Sequence, residues 1–449
     1  MTRQRLIQCS LLITLFILTS CTVQASPTAA PIETEIAQSE ATAVSPTPIP
    51  TTSTTEPTPT SADIAVPAPT DTAVPPTPTQ QSAATHTPSP DTPVPATDTP
   101  QPTDEPSAST PVPTGSDVVI EVDGAVLPPG FSIKRFAAMY RPTGLAFDDN
   151  GNLFATSFDG SVRIFTDTDS DGHADNETNL AGRFNTPLGV AVRPGTNDVY
   201  VSSMGTITLL RDVTGDNRAD NRIDLVTDLP NGLHQNNNLK FGPDGMLYIG
   251  VGSTCDVCSE LDPRSASIMR FDPDTGSSEA IATGLRNPYD IAFHPQTGDL
   301  FATDNGRDDL GPDAPQEELN HIVSGSNYGW PDCWDDFQGL GCDGTTKAVA
   351  FFAPHSSANS IDFYTGRPFP NAYRFSAFVA VFGSFIQPET ETGIAQVILT
   401  PDGDTYTGQV SWFAQWPGAM PLGLVEGPDG ALYVGDYIND AIYRISYDQ

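Results

Sequence analysis

The chain has 449 residues, with 43 Pro, 37 Gly, 20 Lys+Arg against 56 Asp+Glu, and a formal net charge of −36. Residues 1–115 hold 21 of the prolines and only 12 charged residues, which leaves 46 acids and 18 bases, a net charge of −28, in residues 116–449. This acidic balance excludes a nucleic-acid backbone as partner, since that needs clustered cations. A Pro/Thr-rich first part cannot bury enough apolar surface to offset its ordering entropy, so one folded region of roughly 330 residues is expected.

In chain order, residues 1–20 have the pattern of a signal peptide. Arg3 and Arg5 precede an apolar run from Leu6 to Leu18 that is too short for a membrane span. The segment Leu18-Thr19-Ser20-Cys21 resembles a bacterial lipobox, which makes Cys21 the expected lipidation site and the anchor to a membrane. An ordinary cleaved signal is the alternative. Residues 21–115 alternate Pro with Thr, Ser and Ala and are expected to be a disordered, extended stalk.

Six Cys suit an oxidising, extracytoplasmic location. With Cys9 in the signal and Cys21 lipidated, Cys255, Cys258, Cys333 and Cys342 remain. Four Cys allow three pairings; the local pairs Cys255–Cys258 and Cys333–Cys342 are favoured. The first could also be a redox or zinc motif, but no His or Cys sits at zinc-finger spacing and no βαβ pattern surrounds it.

Residues 116–449 are built from a repeat: a short apolar strand, a tight turn and a second strand. The copies begin at Pro142, Pro187, Asn238, Pro288, Ser360 and Pro421, and Asn150-Gly151, Asp244-Gly245 and Asp429-Gly430 mark turns. Such turns between alternating strands signal hairpins. Six copies with no long 3.6-residue periodicity predict an all-β, six-bladed β-propeller over 116–449. The end strand 441–445 is expected to share a blade with 131–136 and close the ring. The loops at the mouth of the central channel are where chemistry is expected.

Two acidic turns recur 45 residues apart. Asp167, Asp169, Asp171 and Asp175 occupy positions 1, 3, 5 and 9 of an EF-hand-like loop with Gly172 at position 6, but Thr178 replaces the bidentate Glu. Asp212, Thr214, Asp216 and Asp220 repeat the spacing. Either the first loop holds calcium or these are polar outer turns, away from the channel.

Three polar segments precede or follow predicted strands: 232–238 with His234, Asn236 and Asn238; 284–288 with Arg286 and Asn287; and 304–331 with Asp304, Gly306, Arg307, Glu318-Leu319-Asn320 and Asn327-Tyr328-Gly329-Trp330-Pro331. On these residues, and across about 125–447, the chain resembles the soluble glucose/sorbosone dehydrogenases that use pyrroloquinoline quinone (PQQ). The resemblance implies a PQQ- and Ca²⁺-dependent oxidation of a sugar at its anomeric hydroxyl, with electrons passed to an external acceptor. It casts His234 as general base and Arg286 as the cation beside the quinone. Asn287 and Asn236 would contact the cofactor, and Gly306, Arg307 and Glu318 would hold Ca²⁺. His294 and His321 are expected to be structural, and His355 is a lesser channel candidate.

The chain departs from that family where cations should anchor the cofactor's carboxylates. Gly383-Ser384-Phe385 and Met420-Pro421-Leu422 stand there, and Arg367 and Arg374 are near but not at those positions. A trianion entering an acidic head needs compensating cations. Two other functions therefore stand beside the dehydrogenase: a non-redox propeller that binds carbohydrate or protein, and a calcium-dependent hydrolase with Asn236, Asn287, Asp304 and Glu318 as ligands.

Overall fold

The computed structural model describes residues 122–384 and 386–448. The signal, Cys21 and the whole stalk lie outside them.

Six antiparallel sheets form the blades of a β-propeller; five are four-stranded, and the third gains a short fifth strand, Ser326–Asn327, paired in parallel. Their innermost strands are Pro142–Phe147, Gly189–Val192, Asn236–Phe241, Pro288–Phe293, Ala358–Phe363 and Pro421–Glu426. Each packs on the next, and the sixth packs on the first. The last blade is completed across the chain, as the sequence predicts: Phe131–Ala138 pairs antiparallel with Ala441–Tyr447, with Ile133 opposite Ile445. Among the described residues the one helical element is a single 3₁₀ turn, Asn371–Tyr373.

The sequence dictates this layering. The second strand of each blade, such as Leu153–Ser157, Leu247–Val251 or Ala377–Val381, is buried at every position. Both faces of these strands meet neighbouring blades, so their residues run continuously apolar or small instead of alternating. Among the outermost strands, Asn176–Ala181, Asn221–Val226 and Ser278–Thr283 are largely exposed, whereas Ala350–Phe352 and Phe131–Ala138 are mostly buried or half-buried. Near the axis the inner strands converge so closely that a Cβ on Gly144 would lie 2.9 Å from the Gly189 Cα, and one on Gly189 would lie 2.7 Å from the Asn238 Cα. Glycine there serves close approach.

Antiparallel order then fixes which loops share a face. Turns joining first to second and third to fourth strands open on one end. Loops entering each first strand, and those joining second to third, open on the other. The His234, Arg286 and Asp304–Glu318 segments all lie at this second end. The Asp167–Asp175 and Asp212–Asp220 turns lie at the first end, as do Arg367 and Arg374, which follow the fifth blade's inner strand.

At the site end the backbone is irregular. Five inner strands shift register just past their start, for example between Pro142 and Leu145 and between Pro288 and Ile291. Arg141, Thr186, His355 and Ser357 take positive φ values of 39°, 47°, 56° and 51° close to those starts. Bulges and left-handed non-glycine residues of this kind re-aim side chains and concentrate at functional sites.

Candidate functional site at the channel mouth

The loop carrying His234 is zipped onto the segment that follows the third blade's second strand. Leu233 N–H donates to the Thr254 carbonyl (2.8 Å), His234 N–H to the Ser253 carbonyl (3.1 Å), and Gly252 N–H to the Gln235 carbonyl (3.0 Å). Gly252 allows this contact: a Cβ there would lie 2.5 Å from the His234 Cβ and 2.9 Å from Asn287 Oδ1. His234 Nδ1 lies 3.1 Å from the Ser253 carbonyl and 2.9 Å from its hydroxyl. Among the described residues Nε2 has no hydrogen-bond partner. Burial, reinforced by the Arg286 charge, pushes this imidazole down to about 4, so it is neutral at physiological pH.

Arg286 is buried against two carboxylates. Its Nε and Nη2 donate to Asp256 Oδ1 (3.0 and 2.8 Å), Nη2 also to Asp308 Oδ2 (2.7 Å), and Nη1 to the Asn305 carbonyl (3.2 Å). Asn287 Oδ1 accepts from Asn237 Nδ2 (2.8 Å), its amide nitrogen has no hydrogen-bond partner among the described residues, and the residue lines the mouth. Backbone N–H groups of both residues donate to Asp304 (3.0 and 2.7 Å), which ties the pair to the fourth blade. The structure therefore brings His234, Arg286 and Asn287 together.

A pair of buried carboxyls lies behind them. Asp304 and Glu318 are directly opposite on adjacent strands. Burial raises Asp304 to about 7; burial and then the Asp304 charge raise Glu318 to about 8. Glu317 is likewise raised to about 7 by burial, although it accepts from Gly306 N–H (2.6 Å) and Ser357 N–H (3.1 Å). A cavity of about 20 Å³, lined among others by Asp304, Gly306, Arg307, Gln316 and Glu318, has room for one small ion or water. Among the described residues no hydrogen bond reaches the Gly306 or Arg307 carbonyl oxygens. The Arg307 guanidinium is engaged by Asp309 and the Pro331 carbonyl and stacks over Trp334.

The mouth itself is a cavity of about 240 Å³ with two chemically different walls. Asn287, Tyr289, Asn305 and Asn359 form a polar side, in which the buried Tyr289 hydroxyl and Asn305 Oδ1 have no partner among the described residues. Leu188, Phe158, Leu422 and Tyr437 form an apolar one, so no cation replaces the missing anchors on the wall itself. At its rim stands Arg141. Its guanidinium lies 5.0 Å from the Tyr437 ring and 5.9 Å from the Phe158 ring, and bonds only the Tyr437 hydroxyl (3.3 Å). No carboxylate pairs with that guanidinium among the described residues.

Other expected residues fall elsewhere. Asn236 spends its amide between blades, donating to Ser202 and to the Ser203 and Thr206 carbonyls and accepting from Gly205 N–H, so it does not face the mouth. On the opposite end, Asp167, Asp169 and Asp175 converge within 4.8 Å, whereas Asp171 caps His173 N–H outside that group. Both predicted disulfides are present, Cys255–Cys258 and Cys333–Cys342. His355 is held by the Gly311 carbonyl and Asp308. His294 bonds Thr297 and His321 stacks on Phe301, both structural.

Sequence reasoning missed Asp256, Asp308 and Arg141. Arg141 had a signal: it precedes Pro142 as Asn287 precedes Pro288. Superposing the repeats would have placed both at the mouth.

A family model described as "Domain of unknown function (DUF7133)" matches residues 122–445. The chain belongs to this family. This chain is 24% identical over 357 residues to an uncharacterized protein of Borreliella burgdorferi, covering 72% of this chain and 91% of that one. It is 23% identical over 233 residues to the aldose sugar dehydrogenase YliI of Escherichia coli, covering 46% of this chain and 58% of that enzyme. Among solved structures, the holo form of the pyranose dehydrogenase PQQ domain from Coprinopsis cinerea superposes with a TM-score of 0.63 at 18% identity, over 72% of this chain and 97% of that one. A Trichoderma reesei carbohydrate-active enzyme of family AA12 superposes with a TM-score of 0.64 at 19% identity, over 74% and 100%. The DUF7133 propeller thus shares its fold with PQQ-dependent sugar dehydrogenases.

Proposed function

We propose that the protein is an extracytoplasmic, lipid-anchored dehydrogenase that oxidises an aldose at its anomeric hydroxyl with PQQ and Ca²⁺. The observation that carries this reading is the meeting of a neutral imidazole with a free Nε2 and a buried carboxyl pair on either side of Arg286-Asn287.

The residues fit a calcium ion well. Burial raises both Asp304 and Glu318 into the neutral range, to about 7 and about 8, and among the described residues no Lys or Arg side chain forms an ion pair with either. A hard divalent cation takes such oxygens together with free carbonyls like those of Gly306 and Arg307. It would supply Lewis-acid polarisation of the quinone. PQQ fits the mouth through the orphaned Tyr289 hydroxyl and Asn305 Oδ1 and the unpaired Asn287 amide, and it would accept the hydride. Arg286, already paired with Asp256 and Asp308, contributes orientation more than net charge. Arg141 offers the uncommitted cation, across the ring from the fourth blade.

In this arrangement His234 Nε2 takes the proton of the sugar hydroxyl, and a positioned neutral base of this type contributes about 10²–10⁴ in rate. The apolar wall excludes water from the reacting face. The single apolar run at residues 6–18 and Cys21 support a lipid anchor outside the cytoplasm, and the two disulfides agree with an oxidising compartment. The external electron acceptor would be met at the open mouth.

The test is reconstitution of the full chain with PQQ and Ca²⁺, followed by dye reduction with a panel of aldoses. A quinone absorbance change on binding and sugar-dependent dye reduction are expected. Neither signal appearing would reject the dehydrogenase.

A further inference from the structure

Ser253 is the junction between the two catalytic candidates. Its backbone N–H donates to the Arg286 carbonyl (2.7 Å), and its hydroxyl donates to the Cys255 carbonyl (2.6 Å). Its own carbonyl and hydroxyl oxygens lie 3.1 and 2.9 Å from His234 Nδ1. A carbonyl oxygen can only accept, so Nδ1 must carry the ring hydrogen. The hydroxyl has one hydrogen and gives it to Cys255, so toward the ring it accepts too. Both contacts specify the same tautomer and leave Nε2 as a bare lone pair.

The loop that receives the Ser253 hydroxyl is closed by the Cys255–Cys258 disulfide. Within it, Asp256 Oδ1 accepts from Arg286 Nε and Nη2 and from Asp308 N–H (3.0 Å), and the Asp256 carbonyl accepts from Trp330 Nε1 (3.1 Å). Just beyond it, Glu260 accepts from Thr254 N–H (2.6 Å) and Thr254 Oγ1 (2.8 Å), tying the loop's exit to its entrance.

We propose that the Cys255–Cys258 loop is a positioning element of the site: through Ser253 it holds the His234 hydrogen on Nδ1, and through Asp256 it holds the Arg286 guanidinium. Base and cation are thereby fixed in one register. A disulfide that merely stiffens the chain would leave the imidazole tautomer unaffected when removed. The role of His234 as base rests on the proposed function; the tautomer does not.

The full chain labelled with ¹⁵N-histidine shows the tautomer directly in two-bond ¹H–¹⁵N spectra without any cofactor, the His234 ring being identified by its loss in His234→Gln. The wild-type ring is expected to be protonated on Nδ1, against the Nε2–H preference of free neutral histidine. In the Cys255→Ala/Cys258→Ala variant the tautomer ratio is expected to shift toward Nε2–H by about tenfold or more, on the order of 1.4 kcal/mol. Ser253→Ala tests the same link with the disulfide intact, should the double variant not fold, and Ser253→Thr should restore the wild-type ring. An Nε2–H ring in the wild type, or a wild-type tautomer ratio in Cys255→Ala/Cys258→Ala, overturns the proposal; Ser253→Ala keeps the carbonyl acceptor, so a smaller shift toward Nε2–H is expected there. Failure of the wild type to oxidise any sugar would instead remove the proposed function and leave the tautomer result standing.

Discussion

Asp304 and Glu318 face each other across adjacent strands of the fourth blade, the first buried and the second half-buried, and among the described residues neither is ion-paired with a Lys or Arg side chain. Two carboxyls so placed cannot both ionise without a cation. With folded pKa values near 7 and 8, above those of the unfolded chain, the native state binds more protons between about pH 4 and 8. Stability of the metal-free protein therefore falls as pH rises through that window. Calcium reverses the trend, because its ligands must be deprotonated. At a hundredfold excess over Kd it should add about 2.7 kcal/mol. Thermal melts are expected to show a rise in Tm with Ca²⁺ at pH 8, little at pH 5, and none at pH 8 in Glu318→Gln. A calcium response that ignores that substitution would place the ion elsewhere.

His234→Ala should lower turnover by about 10²–10⁴ while the melt stays cooperative and in place. The imidazole is held down to about 4, first by burial and then by the Arg286 charge. A native state that binds fewer protons than the unfolded chain loses stability as pH falls toward 4, so assays should span pH 5 to 8. Over that range His234 gives no titration step in kcat/KM. Arg286→Gln removes the nearby positive charge and should move the acid limb upward. The absence of any acid limb above pH 5 in that variant would mean burial alone sets the value.

Arg141 is the mouth's cation without a carboxylate on its guanidinium, resting on Tyr437 and Phe158. Arg141→Gln is expected to weaken PQQ about tenfold or more, equivalent to about 1.4 kcal/mol, with sugar KM little changed. Equilibrium titration by quinone absorbance measures this. Equal affinity in the variant would show that Arg141 serves only the rim's packing.

These predictions rest on residues that were unequally visible in the sequence. The six-blade architecture was legible because the inner hairpins repeat a short apolar strand, three of them with an Asn-Gly or Asp-Gly turn, and periodic burial is a local property. His234, Arg286 and Asn287 were legible from the motifs around them. Asp256 was hidden because its partner lies 30 residues away in another blade, and the flanking cysteines read first as a staple. Asn236 misled for the converse reason. It sits in a polar run beside His234, yet the alternation of side chains along the strand turns its amide into the seam with the second blade. Neighbours in sequence diverge on a strand.

Closure of the ring gives the last expectation. Phe131–Ala138 comes from before the first blade and pairs with Ala441–Tyr447 of the last. Ile445 is fully buried in a cluster with Ile133, Phe369 and Leu432, and Phe131 meets Phe369, Tyr373, Phe413 and Tyr447 edge to face at 4.7 to 5.1 Å. Ile445→Ala should cost about 2–5 kcal/mol, from lost transfer energy plus the cavity left behind. Phe131→Ala should cost about 3–5 kcal/mol. Because these residues seal a ring, the loss should appear across the propeller, with amide exchange accelerated in the first and last blades together. Faster exchange confined to 131–138 would mean that this strand is an appendage and that the other blades hold the ring without it.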